Sequence, residues 1–344
     1  MVSSQVNILA IESSCDDTSA AVISNGKVLS NLVANQKVHE QYGGVVPEMA
    51  SRAHMQNIVP VVEVALKQAG ITKDDINAVA FTRSPGLIGS LLVGACFAKS
   101  FAQALSLPLL AIHHMQAHVL AHFIDEPHPQ FPFLCLTVSG GHTQLVLCRS
   151  QLDMEVIGET QDDAAGEAFD KTAKMLGLPY PGGPVVDKLA QTGDPSKYTF
   201  PISEIKGYDF SFSGIKTAVL YFLQEKKKSN ANFIEENIND VCASVQFTII
   251  KTLLGKFANA ARAYNVHHLG IAGGVSANSA LRAAFSQMCA ENGWQAHIPQ
   301  FQYCTDNAAM IGIAGYYKYL KKDFAALDAV PLARFGLQQG TKSD

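Results

Sequence analysis

Two histidines four residues apart are the clearest chemical signal in the chain: His114 and His118, in the run His113-His114-Met115-Gln116-Ala117-His118. They follow an apolar strand-like run, Leu109 to Ile112, so the first turns of a helix should carry them. Residues i and i+4 share a helix face, and two imidazoles on one face can reach a single metal ion. The alternative for this spacing alone is an exposed or capping pair. His122 continues the row, but it would lie about 12 Å along the helix axis from His114. Three ligands strung along one helix do not easily surround an ion at bonds of about 2.1 Å. His122 is therefore expected to be structural or exposed, and a third ligand must come from elsewhere. Asp306, in Cys304-Thr305-Asp306-Asn307 ahead of a small-residue helix, is one candidate. A zinc-protease helix would read HExxH, with a glutamate as general base. Here Met115 follows the first histidine and Gln116 comes next, which weighs against peptide hydrolysis.

Glycine-rich loops form a second group. Ser139-Gly140-Gly141-His142-Thr143 joins two strand-like runs, and Gly273-Gly274 opens a helix-like one. Glycine lets backbone N–H groups approach phosphate oxygens, and a helix N-terminus adds a favourable dipole. Tight turns alone also account for a glycine pair. Asp170 and Asp187 flank the proline-glycine segment Pro179-Tyr180-Pro181-Gly182-Gly183-Pro184 and could bind ribose hydroxyls or be ordinary solvated acids. Cys15 sits beside Asp16 with no activating base nearby in sequence, so a nucleophilic thiol is not expected. Lys226-Lys227-Lys228 reads as a solvated helix end rather than an RNA site.

The elements that would position these groups repeat. Val6 to Ile11 is an apolar run, Glu12 to Thr18 a small polar loop, and Ser19 to Ser24 a second strand. Asn25-Gly26 is a hairpin turn before Lys27 to Asn35. About 125 residues later, Phe133 to Val138, the 139–143 loop, Gln144 to Arg149 and Met154 to Thr160 repeat the order. Each set is followed by strand, glycine turn and helix. These are Ala78 to Phe81 with Leu87 to Leu105, and His268 to Ala272 with Ala280 to Cys289. This predicts a duplicated α/β protein whose two lobes face a cleft. The first lobe would span 1–130, completed by 312–344. The second would span 131–311 and contain a mostly helical insertion over about 161–265, including Ala164 to Leu176 and Val241 to Ala261.

Length agrees: 344 residues exceeds the roughly 250–300 at which single cores stop growing. Hydrophobic residues make up 48% and charged ones 16%, a globular balance. Leu87 to Ile112 carries Gly89, Gly94, Lys99, Gln103 and Pro108, so it reads as helix, turn and strand rather than a membrane span. Met1 to Gln5 is polar without a basic flank, so no presequence is expected. Seven scattered cysteines without a CxxC pair suggest reduced thiols in a cytoplasm. The net charge of −4 gives no global attraction to nucleic acid, so RNA binding would need a local patch or a partner.

Nine stretches taken together resemble the TsaD (Gcp) family of tRNA N6-adenosine threonylcarbamoyltransferases, in its bacterial form. They are IESSCDDTS (11–19), YGGVVPEMASRAH (42–54), SPGLIGSLLVG (84–94), HHMQAH (113–118), VSGGHTQL (138–145), GEAFDKTAKMLGLPYPGGP (166–184), FSFSGIKT (210–217), GGVSAN (273–278) and CTDNAAMI (304–311). They run in order along nearly the whole chain. The resemblance implies the actin/sugar-kinase/chaperone-ATPase fold, built of two ribonuclease-H-like lobes. It implies transfer of threonylcarbamoyl from threonylcarbamoyl-adenylate to N6 of adenosine 37 in the anticodon loop of tRNAs reading ANN codons, releasing AMP. It also implies one divalent metal ion, iron(II) ahead of zinc(II), on His114, His118 and Asp306. Nucleotide binding falls on Thr137, Val138, Ser139, Gly140, Gly141, Asp170, Gly183, Asp187 and Asn278. The implied partners are a TsaB-like inactive homologue, as a heterodimer, and a TsaE-like ATPase, with no membrane. Asp16 is the candidate for positioning the donor or accepting a proton. Two departures stand out: Asp17 replaces the glutamate usual in SCDET, and Gln116 replaces an acid common between the histidines. A metal-dependent glycoprotease and a small-molecule kinase of the same fold are the competing readings.

Overall fold

A computed structural model of the chain describes residues 5–35, 39, 42 and 44–337. Met1 to Ser4, Gly43 of the 42–54 stretch and the last seven residues of the expected first lobe lie outside these. The first elements are β1 (Asn7–Glu12), β2 (Thr18–Ser24), β3 (Lys27–Ala34), α1 (Pro47–Ala69), β4 (Ala78–Ser84), α2 (Ile88–Leu105), β5 (Leu109–His113) and α3 (His114–Leu120). Then come β6 (Phe133–Val138), β7 (Thr143–Cys148), β8 (Met154–Glu159), α4 (Ala165–Met175), α5 (Gly182–Ala190), α6 (Ser213–Ser229) and α7 (Phe233–Ala263). The chain continues through β9 (His268–Ala272), α8 (Ser279–Asn292), β10 (Gln295–His297) and α9 (Ala308–Lys321).

Two five-stranded sheets share one topology. The first runs β3-β2-β1-β4-β5, and the second, read from its other end, runs β8-β7-β6-β9-β10. The expected duplication is thus present strand for strand. β1 pairs antiparallel with β2 and parallel with β4, and β6 pairs parallel with β9. Every residue of β1, β2 and β6 is buried. Strands covered on both faces have no polar side to show, which is why they read as continuous apolar runs. Asn25 and Gly26 adopt φ of 49° and 80°, the hairpin turn expected from their types.

By contacts the chain divides into two units. Unit 1 holds Met1–His128, Cys148–Glu155 and Pro299–Asp344; unit 2 holds Pro129–Leu147 and Val156–Ile298. The partition differs from the expected lobes, because Cys148–Glu155 and the segment entering α9 contact unit 1. α9 packs on β1 and β2 through a run of small buried residues. A Cβ on Gly312 would strike Ile23, and one on Gly315 would meet Ala80 at 2.9 Å, so glycine permits this close approach.

In unit 2 the segment between β8 and β9 is helical, as expected, and holds α4 to α7. α7 begins at Phe233, eight residues before the expected Val241, and buries Val245, Leu253 and Phe257 in the core of unit 2. α2 and α7 are long and apolar enough to cross a membrane by length and composition. α7 is a core helix with 72% of that window buried, and α2 packs Leu91, Ala95, Ala98 and Ala102 inward beside β4. Gly273-Gly274 leads not into a long helix but into one short turn, Gly274–Ala277, and α8 starts afresh at Ser279.

Candidate metal centre

His114, His118 and Asp306 lie together in unit 1. β5 ends at His113 and α3 begins at once; all seven of its residues are buried, and the four-residue spacing puts His114 and His118 on one face of it. Asp306 is fixed by the start of α9. Three N–H groups there find acceptors: Met310 N on Asn307 Oδ1, Ala308 N on Ser19 Oγ, and Ala309 N on Asn31 Oδ1. These bonds satisfy orphan donors of the first turn and tie it to β2 and β3.

The three ligand atoms form a near-equilateral triangle. His118 Nε2 is 3.2 Å from His114 Nε2 and 3.2 Å from Asp306 Oδ1, and His114 Nε2 is 3.3 Å from the same oxygen. Three atoms held about 2.1 Å from one ion, at octahedral to tetrahedral angles, are about 3.0 to 3.4 Å apart. The donor set therefore fits a divalent metal ion. Lone pairs this close need a cation among them, either a metal ion or a proton. Burial opposes charge on His114, but Asp306 and Glu12 outweigh it and raise its pKa well above the ordinary value. Burial, aided by His114, keeps His118 below the ordinary value. Burial pushes Asp306 up, yet both histidines hold it below the usual carboxylate range. The side chains of His118 and His114 are 0% and 9% exposed and that of Asp306 is 27% exposed, so the triangle is open on the aspartate side.

The sequence reading missed Glu12. This carboxylate is fully buried at the end of β1. Its Oε2 accepts from Thr82 Oγ1 at 2.6 Å and lies 3.0 Å from His114 Nδ1; its Oε1 accepts from the Ser14 N–H. Burial raises the Glu12 pKa, but the His114 charge and hydrogen bond outweigh it and hold the carboxyl below its usual range. An ionised carboxylate only accepts, so Nδ1 keeps its proton, and a metal ion that displaces the second proton would meet the Nε2 lone pair in the triangle. The only hint in the sequence is an acid closing an otherwise apolar strand.

Around this centre, Asp16 lies in the β1–β2 loop, hydrogen-bonded to the Cys15 thiol. Burial, then Asp16, pushes that thiol far up, which makes it a poor nucleophile. Burial and the charges of Asp16, Asp306 and Glu12 raise Asp17 to about 7. His122 is buried, with Nδ1 2.9 Å from Val119 O, a structural role.

The nucleotide-site candidates lie in unit 2. Thr137 and Val138 are fully buried in β6. Ser139, Gly140 and Gly141 form the β6–β7 loop, and a Cβ on either glycine would meet no atom within 4 Å. Packing does not demand glycine there, whereas close approach of a ligand would. Asp170 Oδ1 accepts from Gly182 N at 2.8 Å and Gly183 N at 3.3 Å, capping α5; burial raises its pKa. Asp187 accepts from Ser279 N and Oγ, both at 2.9 Å, at the start of α8. Asn278 caps α8 through Leu281 N and donates to Gln246 Oε1 at 2.6 Å. Lys226 to Lys228 end α6, as expected of a solvated terminus.

Gly166, in the first turn of α4, bears on the loop directly. A Cβ there would lie 2.5 Å from Ser139 O and 2.8 Å from Gly140 Cα. Gly166→Ala is expected to displace the 139–141 loop, costing about 1–3 kcal/mol of stability, with AMP binding weakened in parallel. Urea unfolding and calorimetric titration with AMP test this; unchanged AMP affinity would count against a ligand role for the loop.

Fold and site together define a protein of the actin and sugar-kinase type with a two-histidine, one-aspartate triad whose spacing fits a metal ion. Solved structures agree on the fold. The Acidaminococcus fermentans (R)-2-hydroxyglutaryl-CoA dehydratase component A superposes with a TM-score of 0.53 at 14% identity, over 92% of this chain and 99% of that one. Full-length HypF gives 0.61 at 12% identity, over 92% of this chain and 55% of its own. The TsaD family profile, described as tRNA N6-adenosine threonylcarbamoyltransferase, matches residues 27–313. A relative of that name from Christiangramia forsetii is 60% identical over 338 residues, covering 97% of this chain and 99% of its own. Another from Porphyromonas gingivalis is 58% identical over 332 residues, covering 95% and 97%. The chain belongs to the TsaD family.

Proposed function

We propose that the protein is an acyltransferase that moves threonylcarbamoyl from threonylcarbamoyl-adenylate to N6 of adenosine 37 in tRNAs reading ANN codons. The observation that carries this reading is the His114–His118–Asp306 triangle in a chain 60% identical, over nearly its full length, to a relative named for that activity. The adenine N6 attacks the carbamoyl carbon of the mixed anhydride, the bond from that carbon to the phosphate oxygen breaks, and AMP leaves with the electron pair. N6 gives up one proton. An exocyclic adenine amine is a weak nucleophile, so holding donor and base in register supplies much of the acceleration.

The 139–141 loop, with Asp170, Gly183, Asp187 and Asn278 supporting it, holds the AMP portion through backbone N–H groups. His114, His118 and Asp306 hold one ion, iron(II), with zinc(II) the alternative; imidazole and carboxylate suit both. When bound, that ion supplies Lewis-acid stabilisation of negative charge on a donor oxygen. Asp16 positions the donor or takes the N6 proton. Net charge −4 leaves tRNA affinity to partners, a TsaB-like homologue and a TsaE-like ATPase. Exposed Met55 and Val59 on α1 and Ile88 and Leu92 on α2 offer an apolar face suited to a partner chain. We place the protein in the cytoplasm. A kinase of this fold would not need the triad, and the protease reading lacks its base, since Met115 and Gln116 follow His114.

The test is reconstitution: protein as purified, partner proteins, tRNA and threonylcarbamoyl-adenylate, with nucleosides read by mass spectrometry. Absence of modified adenosine from an intact, metal-loaded complex would sink the proposal. Asp16→Asn is expected to slow transfer at least about 100-fold if Asp16 takes the proton; an unchanged rate dismisses that role.

A further inference from the structure

Gln116 stands two positions from each metal histidine, about 200° round α3, and so faces away from the triangle. There it lines a cavity of about 50 Å³ in unit 1, with Arg83 and Ser84 of β4, His113, Lys318 of α9 and Phe335. Two groups in this wall have unused hydrogen-bonding capacity. Gln116 is 7% exposed, and its amide bonds to no described residue. Arg83 donates from Nε to Val330 O at 3.1 Å and lies over Phe335, 5.8 Å from the ring centroid. Its terminal N–H groups meet no acceptor, and no carboxylate pairs with it, among the described residues. Lys318 is already neutralised by Asp323 at 2.8 Å.

One uncompensated guanidinium and one idle amide thus share a small semi-enclosed space. The Arg fork matches the oxygens of a carboxylate or phosphate, and an amide N–H₂ can donate to the same group. The space takes roughly three water-sized groups, too few for a nucleotide.

We propose that this cavity binds a small oxyanion, a carboxylate or inorganic phosphate, between the Arg83 guanidinium and the Gln116 amide. The site is separate from the metal triangle and from the unit 2 loops, and it does not depend on the transfer reaction.

The experiment is thermal unfolding and calorimetric titration of the full-length protein with sodium phosphate and with sodium acetate, at constant ionic strength set by sodium chloride. The expected result is a saturable rise in Tm with one of these oxyanions beyond chloride alone; the tighter of the two identifies the source. Gln116→Glu puts a carboxylate where the oxyanion would sit and pairs Arg83 internally. It should shift the midpoint concentration at least tenfold upward while keeping or raising Tm in chloride. Arg83→Met should lose the response as well. Phosphate bound at the unit 2 loops or the metal would respond equally in wild type and Gln116→Glu. That equality, or no saturable response in wild type, overturns the proposal. Should Arg83→Met fail to fold, Gln116→Glu alone decides.

Discussion

Asp306→Ala is expected to purify with little or no metal and to lose transfer activity almost completely. Removing an outer group that merely orients a ligand costs about 10–100-fold in metal affinity, and Asp306 is one of only three atoms in the triangle, so its loss should exceed that range. Asp306 also supplies the negative charge beside two imidazoles whose ring nitrogens are 3.2 Å apart. Without it, binding a dication requires both histidines to carry the whole charge burden. Elemental analysis of protein purified without chelators, beside the transfer assay, checks this. The fold should survive, because α9 is anchored by Ser19, Asn31 and Asn307 rather than by Asp306. Full metal content in a folded Asp306→Ala variant would refute the ligand set.

What could be read from sequence follows a physical line. The strands were legible because burial on both faces leaves uninterrupted apolar runs, bounded by Asn25-Gly26 and by the 139–143 loop. His114 and His118 were legible as a pair because a four-residue spacing puts both on one helix face, although an exposed or capping pair has the same spacing. Apart from the family resemblance, Asp306 was open to suspicion only as an acid ahead of a small-residue run. Glu12 was not legible, since its meaning depends on Thr82 and His114, 70 and 102 residues away. The capping duties of Asp170, Asp187 and Asn278 were hidden for a related reason. Their partners are backbone N–H groups of Gly182, Ser279 and Leu281, which carry no residue-type signature. The start of α7 was missed because Phe233 to Asp240 is largely polar, and only the core of unit 2 shows that one helix runs through it.

Glu12→Gln is the second large effect, and its cause is one proton. The variant keeps the shape of the side chain, and its carbonyl oxygen can still accept from one neighbour. Its amide nitrogen, however, is a donor: at the Oε1 position it faces the fixed Ser14 N–H, and at the Oε2 position it faces Thr82 Oγ1–H and His114 Nδ1–H. The threonine hydroxyl can rotate to accept. With the nitrogen at the Oε2 position, His114 relieves the clash by moving its proton to Nε2, which removes the lone pair it offers the triangle. Metal affinity should fall about 10–100-fold, and Glu12→Ala, which leaves buried partners unpaired, should cost about 3–5 kcal/mol. The pH dependence separates positioning from mere packing. Glu12 titrates below its usual range in the fold, so its contribution is present above about pH 4.3 and is lost as pH falls through its lowered folded value. His114 titrates above its usual range in the metal-free protein, so its contribution is full below about pH 6.5 and fades as pH rises through its raised folded value. Metal-free wild type should therefore lose stability on going alkaline, and Glu12→Gln should show a flatter profile. Urea midpoints across pH, measured beside metal titrations, check both. A Glu12→Gln protein with wild-type metal affinity and an unaltered pH profile would show that the buried carboxylate does not set the His114 tautomer.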